Sequence, residues 1–381
     1  MSGINELIAQ HCPNGVVFKR LEEVASYMDG AAHENILGDQ GDYVVTKVKF
    51  ISSDGQFKKY CNVRLSPVEK DDIIMVMSDL PNGKSLAKCF LIDKDNTYTI
   101  NQRVCSLTAN TEILLPRFLY YVLNRNAQLL KYDNGYSQTH LKKKWILDVQ
   151  IPVPPIAVQS KIVQMLDTFL KLIDNLQKEL SGRRKQFQFF QSQSFDFGSN
   201  TPVVNLADCC SLEKGKTAIQ KATPGNYPLV VTAPQRKSSN EYQFDKATVC
   251  IPLVSSRGHG VASMNQVFYQ EGKFALGNIL CGVTPLNPQS LSAKYLHYLL
   301  NWKKDTLLVP LMKGGANVSL TVNSLKKVKV HVPPIEEQNA IVSKIKPLEE
   351  LIESIEREIT LRKQQYEIYR DKLLTFKEMS V

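Results

Sequence analysis

The feature that most constrains this chain is a block that occurs twice. Val153-Pro154-Pro155-Ile156 returns as Val332-Pro333-Pro334-Ile335, and the offset of 179 holds without a gap for residues 153–197 against 332–376. Of those 45 positions 13 are identical, among them Gln159/Gln338, Ile162/Ile341, Glu179/Glu358, Arg183/Arg362 and Phe197/Phe376, which is too many for chance. Fainter matches precede the block. Leu141, Ile146, Val149 and Ile151 correspond to Leu320, Leu325, Val328 and Val330, residues 119–124 correspond to 296–301, and Leu21, Glu23 and Gly30 correspond to Leu206, Asp208 and Gly215. The 381 residues therefore form two halves of roughly 180, each a variable globular part followed by a shared segment.

The shared segments read as long helices. Apolar residues fall at Ile162, Leu166, Phe169, Ile173, Leu176 and Leu180, then at Phe187 and Phe190. The second copy repeats the pattern at Ile341, Ile345, Leu348, Ile352, Ile355 and Ile359, then Tyr366, Tyr369, Leu373 and Phe376. Alternating steps of four and three over about five heptads make a coiled-coil seam rather than the stripe of an ordinary surface helix. At ~1.5 Å per residue, forty residues span about 60 Å. The paired prolines suit the start of each helix, since a proline there gives up no needed hydrogen bond. Arg183 and Arg362 stand in the seam position that is skipped, where a polar residue is expected to set register and partner. The two matching seams predict a helix pair within one chain.

The globular parts read as mixed α and β, with strands at 46–51, 72–77, 97–107, 247–254 and 327–332 and helices at 116–132 and 291–308. The fold class is α+β, a pseudo-two-fold internal repeat of two similar mixed α/β domains joined by two long helices.

Net charge is +10, which favours an acidic partner such as nucleic acid. The excess is uneven: +1 over residues 1–155, +2 over 156–197, +9 over 198–334 and −2 beyond. The second globular part is thus expected to supply more of any salt-dependent phosphate attraction. No run of 18 apolar residues marks a spanning helix. The first residues lack the basic-then-apolar pattern of a secretion signal. The eight cysteines, none in C-x-x-C spacing, read as reduced thiols, so the expected location is the cytoplasm.

Catalytic patterns fall short. Gly83-Lys84-Ser85 and Gly215-Lys216-Thr217 end like a phosphate loop, but Ser78 and Cys210 stand where its first glycine is required. A DNA amino-methyltransferase needs a polar residue, two prolines and an aromatic to hold a flipped base. Here Val153 or Val332 precedes the prolines and Ile156 or Ile335 follows them. Glu271-Gly-Lys273 lacks the preceding Pro-Asp of a nuclease, and the six histidines include no pair at metal-ligand spacing. The sequence offers no catalytic, cofactor or metal site of its own.

Two variable halves, each closed by Pro-Pro-Ile, a glutamine, Ile-Val and a basic-aromatic helix end, resemble the specificity subunit of type I restriction–modification enzymes. The resemblance is carried by Pro154, Pro155, Ile156, Gln159, Ile162, Val163 and residues 183–187, and by Pro333, Pro334, Ile335, Gln338, Ile341, Val342 and residues 362–366. The stretches 135–155 and 314–334 resemble the family's boundary between recognition domain and helix. The resemblance implies a non-catalytic subunit with one target recognition domain over 1–152, a spacer helix over 153–197, a second domain over 198–331 and a second helix over 332–381. Each domain would read half of a bipartite double-stranded DNA target. The helices would pair antiparallel, set the spacing and dock two modification subunits. Those partners would carry the adenine methyltransferase chemistry and S-adenosylmethionine, and motor–nuclease restriction subunits could join. The rival reading is a coiled-coil adaptor that binds nucleic acid or protein without reading sequence.

Candidate DNA contacts follow from chemistry. Base edges are read by Arg, Lys, Asn or Gln, and phosphates are held by Lys, Arg and small hydroxyls. In the first domain these are Asn82, Lys84, Ser85 and Lys88, with Gln138 and Lys142, Lys143 and Lys144. In the second they are Arg236, Lys237, Ser255, Ser256, Arg257 and His259, with Lys313 and Asn317.

Overall fold

The structure, a computed structural model, describes Glu6, residues 10–81 and residues 83–379. Its contacts divide the chain into two units, one made of the residues up to Leu176 with those from Glu358, the other of Gln177–Arg357. Each long helix therefore contributes a part to both.

The strands of the first unit are β1 (Phe18–Arg20), β2 (Ala25–Asp29), β3 (Tyr43–Thr46), β4 (Tyr60–Cys61), β5 (Pro67–Val68), β6 (Ile73–Val76), β7 (Ser78–Asp79), β8 (Cys89–Leu91), β9 (Tyr98–Ile100), β10 (Val104–Ala109), β11 (Thr139–His140) and β12 (Gln150–Pro152). An antiparallel sheet runs β2-β10-β6-β8. A second runs β4-β3-β9-β5, with β3 and β9 parallel, and β1·β12 and β7·β11 form short ribbons. The central strand β6 is buried along its whole length, because its alternate side chains enter two cores. Ile73 and Met75 pack with Phe118 and Leu119 of helix Pro116–Leu123, while Ile74 and Val76 pack with Phe50 and Tyr98.

The second unit holds β13 (Val203–Asn205), β14 (Cys210–Lys214), β15 (Tyr227–Val230), β16 (Lys237–Ser239), β17 (Thr248–Pro252), β18 (Phe268–Gln270), β19 (Ala275–Leu276), β20 (Leu280–Pro285) and β21 (Lys329–His331). Its sheets are β14-β20-β17-β18 and β16-β15-β19, the latter with β15 and β19 parallel, beside the ribbon β13·β21. Among the described residues this repeats the plan of the first unit without counterparts of β5, β7 and β11. The repeat thus extends through the middles of the halves, where the residues themselves have diverged.

The shared helices run Ile156–Ser194 and Ile335–Leu374. Pro155 and Pro334 sit just before them and accept the first helical bonds, from the N–H groups of Gln159 and Gln338 at 3.1 Å. Along the first helix Ile162, Leu166 and Ile173 are buried and Phe169, Leu176 and Leu180 half-buried; along the second, Ile341, Ile345, Ile355 and Ile359 are buried and Leu348 and Ile352 half-buried. Phe169 stacks on Tyr369 with centroids 5.2 Å apart, and further along Arg184 meets Glu356 at 2.6 Å. Within the second unit Phe190 shares a cavity wall with Ile341 and Lys344, so partner numbers fall there as the first helix advances and the two segments run antiparallel. Arg183 and Arg362 bond along their own helices rather than across the pair, each to the Glu four residues before and the Gln three after. Pro347 lies inside the second helix without ending it.

Gln159 and Gln338 explain their own identity in the repeat. Both are fully buried. The Gln159 amide accepts from Leu115 N and donates to the carbonyls of Ile113 and Pro154, each at 2.8 Å. Gln338 accepts from Ser292 N at 2.8 Å and donates to Ser290 O and Pro333 O at 2.9 and 2.8 Å. One side chain thus fastens each long helix to the start of the domain helix, Pro116–Leu123 or Ala293–Trp302.

Several expected elements differ. Residues 46–51 are not one strand: β3 stops at Thr46 and helix Val48–Ser52 follows, which turns Phe50 and Ile51 inward together. The strand expected over 97–107 is two, because Val104 N closes a turn on Asn101 O at 2.9 Å. The helix expected over 116–132 breaks where Asn124 turns its side chain to Cys89 N and Arg125 takes φ 59°. The helix expected over 291–308 divides at Lys303. The final segment is not helical to its end, since the chain leaves the helix after Leu374 and Glu378 pairs with Val16.

Candidate nucleic-acid interface

Both units gather the same two loops at one end of the central strand. In the first unit Met77, just past β6, donates its N–H to Arg103 O at 3.0 Å and accepts at its carbonyl from Leu141 N at 2.7 Å. In the second, Leu253 donates to Ile279 O and accepts from Leu320 N, both at 2.8 Å. The loop that follows the strand therefore lies beside the loop that precedes residue 141 or 320.

In the first unit the following loop is built on Asp79. Its carboxylate accepts from the N–H groups of Leu80, Ser85 and Leu86 at 2.9, 2.6 and 3.1 Å. A Cβ at Gly83 would fall 2.1 Å from that carboxylate, so only glycine lets the loop close. The Gly-Lys-Ser tip thus wraps an anion of its own, and the candidate Ser85 gives its N–H to it. Lys84 projects into solvent, and Asn82 lies outside the described residues. The facing loop brings Gln138, whose Nε2 donates to Ser78 Oγ at 2.9 Å. Lys142 and Lys143 rest over the rings of Trp145 and Tyr27, at 5.0 and 4.7 Å, with their ammonium groups at the surface, and Lys144 is exposed. Lys88 is placed elsewhere. It binds Asp54 at 2.9 Å and Ser52 O at 3.1 Å, and is not a free phosphate ligand.

In the second unit the loop from Ser255 lies against the turn from Lys313. Gly260 N donates to Ala316 O at 3.3 Å, and Val254 and Lys313 both pair with Ser319. Gly314, at φ 139°, leaves no room for a Cβ, which would sit 2.2 Å from Asn317 O. The hydroxyls of Ser255 and Ser256 hold the loop together, through Val261 O at 2.6 Å and Ser263 Oγ at 3.1 Å. Arg257, His259, Lys313 and Asn317 stand exposed around them. Lys237 is exposed on β16, but Arg236 is committed inside the fold. Its guanidinium bonds Gln270 Oε1, Tyr269 O and Pro234 O at 3.1–3.3 Å and lies 5.3 Å over the Phe268 ring. Burial lowers its pKa from a starting point so high that it stays charged. His297 is the opposite case, since burial pushes its pKa down to about 3 and leaves a neutral core imidazole.

Residue type alone misses one prominent group. Tyr136, 93 % exposed, rides on a turn that Asn134 holds through the N–H groups of Tyr136 and Ser137 at 3.0 and 3.1 Å. An aromatic set among Asp133, Asn134, Gly135 and Ser137 was the available signal.

A family model described as the type I restriction modification DNA specificity domain matches residues 13–181 and matches again over 199–361. The chain belongs to that family. The repeat that begins at Val153 is thus part of a specificity domain present twice, each copy holding one of the two loop pairs. The chain is 28% identical over 313 residues to the putative type I restriction enzyme specificity subunit S.HindORF215P of Haemophilus influenzae, covering 73% of this chain and 79% of that protein. It is 25% identical to the EcoR124I/EcoR124II specificity subunit of Escherichia coli, covering 69% and 71%. Among solved structures, the type I system S subunit from M. genitalium shares the fold at a TM-score of 0.67 and 15% identity, covering 94% of this chain and 96% of that one. Among the described residues of this specificity-domain protein, no group of three or more His, Cys, Asp or Glu could hold a metal, and no helix is long and apolar enough to cross a membrane.

Proposed function

We propose that the chain is the non-catalytic specificity subunit of a type I restriction–modification enzyme, in which each domain reads one half of a bipartite DNA target. The observation that carries this is the equivalence of the two loop pairs: one frame, held by matching backbone bonds at Met77 and Leu253, displays different side chains. A duplex has its own dyad, so two like frames suit its opposite strands, while unlike loops suit unlike half-sites. The paired helices act as the constant spacer and as the dock for two modification subunits, which carry S-adenosylmethionine and the methyl transfer. Restriction subunits join that assembly. A non-reading adaptor would need the helices but gives no reason for equal frames with unequal loops.

Selection of duplexes from a random library by the purified chain tests the proposal. The expected product is two short unlike sequences at a fixed gap. Arg257→Ala should relax one base position of one half only, with a loss of about tenfold, the scale of one good base contact. Loss spread equally over both halves, or no loss, would count against this placement of Arg257.

A further inference from the structure

The first unit has a cleft with a basic wall. It is a cavity of about 630 Å³ between helix Val48–Ser52 and the turn at residues 101–103, and it is walled by Lys47, Lys49, Lys58 and Arg103. Among the described residues none of these four has an ion-pair partner, whereas Lys59 beside them binds Asp39. The one acid on the wall, Glu34, is engaged by the side-chain amides of Asn101 and Gln102, each at 3.1 Å, and its charge also faces Lys47 at longer range. A unit close to neutral in sum therefore carries a concentrated positive face.

Phe57 stands at this cleft, 55 % exposed, with Lys49 Nζ 4.1 Å from its ring centroid. It is not on a loose loop. Ser53 Oγ donates to Lys49 O at 2.7 Å and accepts from Phe57 N at 3.1 Å, and Gly55 N donates to Phe50 O at 2.9 Å. Lys88 pins the other side of the turn through Asp54. A large apolar ring held out in water gains only one weak, exposed cation–π contact, with Lys49, for the isolated fold. It matches what minor-groove and architectural proteins use, an apolar wedge beside basic side chains that hold the flanking phosphates.

The cleft is continuous with the interface described above, since Arg103 O is the acceptor for Met77 N at the foot of the loop pair. The corresponding residues of the second unit differ. Six residues, Val231 to Arg236, replace the segment between β3 and β4, no aromatic lies among them, and Ile279 stands where Arg103 does.

We propose that this cleft is a DNA contact particular to the first unit: Lys47, Lys49, Lys58 and Arg103 hold phosphates beside its half-site, and Phe57 wedges a neighbouring base step. This rests on the reading that the unit binds DNA. The first half-site would then be selected partly by how readily that step unstacks, at positions no polar side chain touches.

The test uses the full chain and its library-selected duplex. Lys47→Ala/Lys49→Ala/Lys58→Ala should reduce the slope of log affinity against log salt by roughly 2 to 3, at ~0.9 for each phosphate no longer neutralised. Duplexes carrying 2-aminopurine at successive positions in and beside the first half-site should brighten at one step with the wild-type chain. Phe57→Ala should abolish that rise and leave the salt slope unchanged. All four positions are at the surface or nearly so, and unchanged thermal melting confirms folding. An unchanged slope in the triple variant overturns the phosphate contact, and an unchanged fluorescence profile in Phe57→Ala overturns the wedge. A wild-type chain that fails to prefer its selected duplex overturns the DNA reading itself, and the cleft assignment with it.

Discussion

Replacing Gln338 by leucine is expected to destabilise the second unit by about 3 kcal/mol or more. The leucine fills the space but leaves Ser292 N–H and the carbonyls of Ser290 and Pro333 without their partner, and each stranded buried group costs ~1–3 kcal/mol. For a unit of this size that corresponds to a fall in melting temperature of roughly 6–12 °C, at ~2–4 °C per kcal/mol. Gln338→Glu should rescue little, because a carboxylate still accepts from Ser292 N–H but cannot donate to two carbonyls. Gln159→Leu should act equally on the first unit, through Leu115, Ile113 and Pro154. Calorimetry on these variants and the wild-type chain checks this. A loss below about 0.5 kcal/mol for the leucine variants would mean that the amides are not the fastening between long helix and domain helix.

The seam gives the second large effect. Leu166 and Ile345 are fully buried at seam positions, whereas Leu172 and Leu361, also on the long helices, are 37 % and 63 % exposed. Leu166→Ala and Ile345→Ala should each cost ~2–5 kcal/mol, the range for truncation where neighbours cannot close the cavity. Leu172→Ala and Leu361→Ala should stay within about 0.5 kcal/mol, as surface substitutions do. Urea unfolding of the four variants separates the cases. Equal losses at all four positions would contradict the assigned faces.

The long helices are legible because two signals of different kind agree, a 3–4 spacing of apolar residues and its recurrence at one offset. The sheets are less so. Strands of two to six residues, such as β4 and β10, take their identity from partners far along the chain. At residues 46–51 the pattern Thr-Lys-Val-Lys-Phe-Ile satisfies an alternating strand, yet the core takes Phe50 and Ile51 together, which only a helical turn allows. The loops are legible as places and not as contacts. Residue type marks Lys88, Arg236, Ser255 and Ser256, but each is engaged within the protein by groups that residue type cannot reveal. Tyr136 and Phe57 escape a reading by residue type for the converse reason, since an aromatic is expected inside and only the folded chain shows these two held outside.

The central claim is that this chain chooses the DNA sequence on which its partners act. Single-molecule methylation sequencing of the source genome, with the gene intact and disrupted, tests it most directly. The account predicts that disruption removes one methylated motif, made of two unlike half-sites at a fixed gap, and spares every other. A genome methylated at such a motif that keeps it unchanged after disruption would contradict the account.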